Sequence, residues 1–227
     1  MIDLNIIKKE ERRIEFNVKG INDAGANAIR RSIVSKIPSL AIEDIVIYSN
    51  SSAMHDEILA HRLGLIPLKT DLKMYNFADI CECEKGDCSL CAVYFELNAE
   101  GPKVVYSGDL VSSDPNVAPV YDNMPIVELL DGQKIMLKAT ARMGNSRWGM
   151  KIYNGLGARQ DAYNRGEDIS AEPGHAKWQA GIASYEKKEN GSYDFFVESY
   201  GQVDVKEMIS RAFELIRDEI KDLESDL

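Results

Sequence analysis

The sequence predicts an α+β chain: a discontinuous domain, a sheet plus two long helices, is built from both ends, and a mostly β domain is inserted between them. Three observations predict it. Apolar residues alternate with polar ones near the N-terminus and then recur at every fourth position. A strand-rich middle follows. A long helical stripe returns at the C-terminus. With 44% hydrophobic and 28% charged residues, the 227 residues have an ordinary globular composition and suffice for two modest units.

The first element is a strand, because Ile14, Phe16 and Val18 alternate with polar residues in RRIEFNVKG. The period then changes. In NDAGANAIRRSIVSKIP the residues Ile29, Ile33 and Ile37 repeat every fourth position, Asn22 or Asp23 is available as N-cap, and Pro38 stops the helix. LAIEDIVIYSN is a strand by its β-branched content, and Ser51 and Ser52 lead into a second helix, MHDEILAHRLGLI, which Pro67 ends. AVYFELNAE, KVVYSGDL, MPIVELL and QKIMLKATA follow as strands, with a tight turn at Asp131-Gly132 between the last two.

The C-terminal helix, VKEMISRAFELIRDEIKDLESDL, opens at Asp204 with Glu207 three residues on, an aspartate version of the capping box. Met208, Ile209, Ala212, Phe213, Ile216, Ile220 and Leu223 form one apolar stripe, wide and long enough to contact more than its own domain.

A net charge of -10 argues against a free-standing nucleic-acid binder, since phosphate binding rests on clustered Lys and Arg. No apolar run approaches the roughly 18 residues of a membrane span. MIDLNIIKKEERR lacks the apolar core of a signal peptide, so the expected location is cytoplasmic.

All four cysteines fall in ICECEKGDCSLC, as Cys81-x-Cys83 and, after four residues, Cys88-x-x-Cys91. In a reducing compartment this clustering points to a metal rather than to disulfides. Four thiolates converging from one loop suit structural zinc, with an iron-sulfur cluster as the alternative. A catalytic metal is disfavoured because four protein sulfurs leave no open position. Lys85 and loop amides would offset the excess negative charge, and Gly86 gives the turn its freedom.

On the second helix, Glu57 and His61 stand at i, i+4 beside His55 and Asp56, but without HExxH they read as a polar face toward solvent or a partner. No Ser, His and acid set stands in a hydrolase context.

The run Asn27 to Leu68, NAIRRSIVSKIPSLAIEDIVIYSNSSAMHDEILAHRLGLIPL, resembles the signature of the D subunit of archaeal RNA polymerase, shared with the third-largest subunit of eukaryotic RNA polymerase II and the N-terminal domain of bacterial alpha. GHAKWQAGIASY, Gly174 to Tyr185, resembles a second signature, with His175 and Trp178 as packing or interface residues. The resemblance implies a non-catalytic assembly platform for DNA-directed RNA polymerase, a nucleotidyltransferase only as the assembled enzyme. Its dimerisation domain, residues 1–48 and 186–227, would pair with a small partner resembling the archaeal L subunit and nucleate assembly of the large subunits, alongside small accessory subunits. DNA would be met only through that assembly. Residues 49–185 would form the inserted β domain with the cysteine loop at 81–91.

Partner-facing positions implied by the resemblance are Asn27, Ile29, Arg30, Arg31 and Ile33 on the first helix and His61 and Arg62 on the second, joined on the C-terminal helix by Ile209, Phe213, Ile216 and Ile220. Related eukaryotic subunits carry a similar zinc-binding cysteine loop, whereas other archaeal D subunits carry an iron-sulfur cluster in an extra domain whose pattern is not matched here.

The chain departs from the family at residues 145–173, an insertion where only a short link is usual. It interleaves Arg147, Trp148, Lys151, Tyr153, Arg159, Tyr163 and Arg165, which suits either stacking on nucleic acid or a lineage-specific surface loop.

Overall fold

The computed structural model describes residues 2–83, 87–145 and 178–225. Lys85, Gly86, His175 and the insertion beyond Asn145, with its arginines and aromatics, lie outside the described residues. The chain divides into two compact units, one made of Met1–Pro38 with Gln179–Leu227 and the other of Ser39–Trp178.

In the first unit, β1 (Asp3–Lys9), β2 (Arg13–Lys19), β9 (Gly181–Lys187) and β10 (Tyr193–Ser199) form an antiparallel sheet in the order β1-β2-β10-β9. The alternation of Ile14, Phe16 and Val18 is the buried face of β2, matched across the sheet by Tyr193, Phe195 and Val197. Phe16 stacks on Phe195 with ring centroids 5.1 Å apart.

Two helices pack on this sheet, α1 (Asp23–Ser35) against β9 and the long C-terminal helix (Val205–Ser225, α3) against β10 and β2. Asn22 is the N-cap of α1, its side chain accepting the Gly25 amide at 2.8 Å. Asp204 caps α3, accepting the amides of Lys206 at 2.9 Å and Glu207 at 3.2 Å, so the aspartate half of the expected capping box is in place. The helices also meet each other. The buried Ser32 hydroxyl donates to the Ala212 carbonyl at 3.0 Å, and Lys36 pairs with Glu219.

In the second unit, β3 (Ser39–Asn50), β4 (Ala92–Glu100), β6 (Val111–Ser112) and β8 (Lys134–Gly144) form an antiparallel sheet ordered β3-β8-β4-β6. A separate ribbon pairs β5 (Lys103–Tyr106) with β7 (Pro125–Leu129). The short helix α2 (Asp56–Gly64) lies against β3 and β7 and contributes Leu59, Ala60 and Leu63 to a core shared with Ile42, Ile45, Phe95, Leu97 and Leu137.

Two expectations change. The unit boundaries fall at 38/39 and 178/179 rather than 48/49 and 185/186. The reason is pairing, since β3 runs beside β8 from Ser39 to Asn50 and all of β9 pairs with β10. The run KVVYSGDL is a strand only to Tyr106, after which Ser107–Asp109 makes a 3-10 turn in which Asp109 accepts the Tyr106 amide at 2.7 Å. Asp131-Gly132 is the expected turn between β7 and β8, with Gly132 at φ 72°, and the strands it joins belong to different sheets. The N-terminal strand β1 is an addition to the expected elements.

Candidate functional site

The four cysteines converge. Their sulfur atoms all lie within 4.8 Å of one another, the one such cluster of metal-ligating groups among the described residues. Cys81 Sγ and Cys88 Sγ are 3.6 Å apart, while Cys83 to Cys91 and Cys88 to Cys91 are each 3.5 Å. A tetrahedron of sulfurs about 2.3 Å from a zinc ion has edges of about 3.8 Å, so the donors already stand near the geometry of a four-thiolate site. All four thiols are free. The set can hold a metal ion, and its chemistry suits zinc or an iron-sulfur cluster.

Local structure explains the convergence. Cys88 opens a turn that leads into β4, closed by bonds from the Cys91 amide (3.0 Å) and the Ala92 amide (2.9 Å) to the Cys88 carbonyl. The Asn76 amide holds the Leu90 carbonyl at 2.8 Å from the incoming side of the loop. Cys91 is fully buried at the head of the strand, and burial pushes its thiol well above the ordinary range. Cys83 moves the other way, to about 6, chiefly because the Cys88 backbone amide hydrogen-bonds its sulfur.

The second candidate feature is the helical face of the first unit. Val205, Met208 and Ala212 are buried, but farther along α3 the stripe emerges: Ile209, Phe213 and Ile216 are half-buried, Ile220 is 51% exposed and Leu223 65%. Leu4 and Ile6 pair with Val18 and Phe16, which places them on the same helix-bearing face of the sheet, and both are exposed. Sequence reasoning missed these two, although DLNII carries a period-2 signal.

Ile29 and Ile33 are a correction, because they point into the unit's own core, where Ile33 is fully buried and Ile29 nearly so. Asn27 is half-buried and accepts two bonds from the Arg30 guanidinium, at 3.0 and 3.2 Å, while Arg31 is exposed. In the second unit His61 and Arg62 are exposed on α2, with Arg62 donating to the Pro125 carbonyl at 2.7 Å. No third metal-ligating group joins Glu57 and His61 among the described residues. Trp178 is a packing residue of the second unit, fully buried over Gly144.

Residues 39–152, half of the chain, match the family model described as the RNA polymerase Rpb3/RpoA insert domain. The chain belongs to that family. Within it, the chain is 43% identical over 147 residues to DNA-directed RNA polymerase subunit Rpo3 of Archaeoglobus fulgidus, covering 65% of this chain and 56% of the relative. It is 41% identical over 189 residues to the Rpo3 of Pyrobaculum calidifontis, covering 82% of this chain and 62% of the relative. The Rpo3 of Pyrococcus furiosus is 39% identical over 184 residues, 81% of this chain and 58% of the relative. The chain thus spans somewhat more than half the length of these Rpo3 relatives. No helix among the described residues is long and apolar enough to cross a membrane.

Proposed function

We propose that this chain is a non-catalytic assembly subunit of a cytoplasmic DNA-directed RNA polymerase. The observation that carries the reading is the match of residues 39–152 to the Rpb3/RpoA insert domain, joined by Rpo3 relatives that align with up to 82% of the chain. In this reading the first unit pairs with a small subunit resembling the archaeal L subunit. The apolar stripe of α3 supports it, since the unit covers Phe213 and Ile216 only in part and leaves Ile220 and Leu223 exposed. Asn27, Arg30 and Arg31 on α1, and His61 and Arg62 on α2, face the large subunits and accessory subunits.

The four cysteines hold zinc as a structural ion that closes the loop preceding β4. When bound, the ion supplies cross-linking rather than chemistry, with all four positions taken by sulfur. The chain contributes no catalytic group, and DNA is contacted only through the assembly.

The test is co-expression of the chain with an L-like subunit, followed by isolation of the assembly and metal analysis. A stable pair that captures the large subunits, with about one zinc for each four-cysteine loop, is the expected result. A chain that stays alone in the presence of the small subunit contradicts the reading. Loss of pairing in Phe213→Asp, with the fold retained, locates the contact on α3.

A further inference from the structure

This inference rests on the reading of the four cysteines as a metal centre. We infer that Tyr94 is a positioning residue of that centre, its hydroxyl donating to the Asp87 carbonyl at 3.1 Å and fixing the peptide that carries the Cys88 amide. The Asp87–Cys88 peptide is planar, so its carbonyl and its amide point in opposite directions. The carbonyl side is held by Tyr94 on β4. The amide side belongs to Cys88 itself, whose sulfur stands 3.6 Å from that of Cys81 and 3.5 Å from that of Cys91.

One side chain outside the loop thereby fixes the backbone from which a ligand sulfur is presented. That restraint matters because a ligand held by groups beyond it keeps its orientation toward the metal site and loses less freedom when the ion binds. The turn's own bonds run from the amides of Cys91 and Ala92 to the Cys88 carbonyl, and the Asn76 amide holds Leu90, so the Asp87 carbonyl lies outside that set. Tyr94 supplies the missing restraint, tying the peptide that enters Cys88 to β4.

Tyr94 is itself held in place. It is half-buried on the face of β4 opposite the core residues Val93 and Phe95, and the Lys138 ammonium from β8 lies 4.3 Å from its ring centroid. A cation over the ring fixes the phenol and draws charge from it, which favours donation from the hydroxyl.

The experiment uses the full chain with Co²⁺ and Zn²⁺ as probes. Tyr94→Phe keeps the ring, the strand and the Lys138 contact and removes only the hydroxyl. We expect Zn²⁺ and Co²⁺ affinity, read by chelator competition, to fall roughly threefold to tenfold. The thiolate-to-cobalt charge-transfer band should persist, the cobalt ligand-field bands should shift, and the unfolding midpoint of the metal-free chain should not move. Tyr48→Phe, at an exposed tyrosine of the same unit, should bind as the wild type does. A Tyr94→Phe chain with wild-type affinity and an unshifted cobalt spectrum overturns the inference, as does an affinity loss matched by a loss of metal-free stability. A wild-type chain that gives no thiolate-to-cobalt band overturns the metal reading and this inference together. That failure appears in the wild type, whereas failure of the Tyr94 role alone appears only in the variant.

Discussion

At the scale of single residues, close approach and hydrogen bonding decide more than composition. A Cβ added at Gly144 would lie 2.4 Å from Cε2 of the fully buried Trp178, well inside van der Waals contact. Gly144→Ala should therefore destabilise the second unit by about 1–3 kcal/mol through overpacking, measured by denaturant unfolding. In the first unit, the Asp23 carboxylate accepts the Tyr193 hydroxyl at 2.7 Å and the Lys187 ammonium at 3.0 Å, which hold its pKa below the usual carboxylate range. A carboxylate depressed on folding contributes stability that is complete above its unfolded pKa and lost as pH falls through the folded value. Stability should accordingly fall on acidification below about pH 4, and the decline should be shallower in Tyr193→Phe, which an acid titration of unfolding would show. Neither effect is visible in the sequence, because Asp23 and Tyr193 are brought together only by the docking of α1 on the sheet.

Among the elements, α3 divides into a half that belongs to its own unit and a half that does not. Met208 is fully buried, so Met208→Ala should cost about 2–5 kcal/mol. Ile220 is half-exposed, so Ile220→Asp should leave the unfolding free energy of the isolated chain within about 0.5 kcal/mol. On the proposed pairing, the same Ile220→Asp change should weaken capture of an L-like small subunit, an outcome that a pull-down reads directly. Losing the Asp204 cap, as Asp204→Ala, should cost about 1 kcal/mol. The helical period and the cap were legible in the sequence because both are local. The division of the stripe was not, because period alone gives every stripe residue one face and cannot say how far the sheet beneath it extends.

For the whole molecule, the two units and the polymerase reading are tested together by the assembly. On the proposed metal reading, stripping the ion from the four cysteines with a chelator should lower the unfolding temperature of the second unit and leave the first unit's transition in place, as calorimetry would resolve. The amino-acid order alone carries the alternation of β2, the capped helices at 23–35 and 205–225, the clustering of four cysteines and the likeness to the archaeal D subunit. Each of these is written in spacing or in contiguous motif. It takes the folded chain to show that β3 joins the second unit and that Ile29 and Ile33 are core, since strand pairing and burial join residues distant in the chain. Folding likewise brings Tyr94 to the Asp87 carbonyl and leaves Leu4 and Ile6 uncovered beside Val18 and Phe16. The difference is one of range: periodicity and capping act within a few residues, whereas sheet order and the reach of a side chain across a loop depend on packing that no local pattern contains.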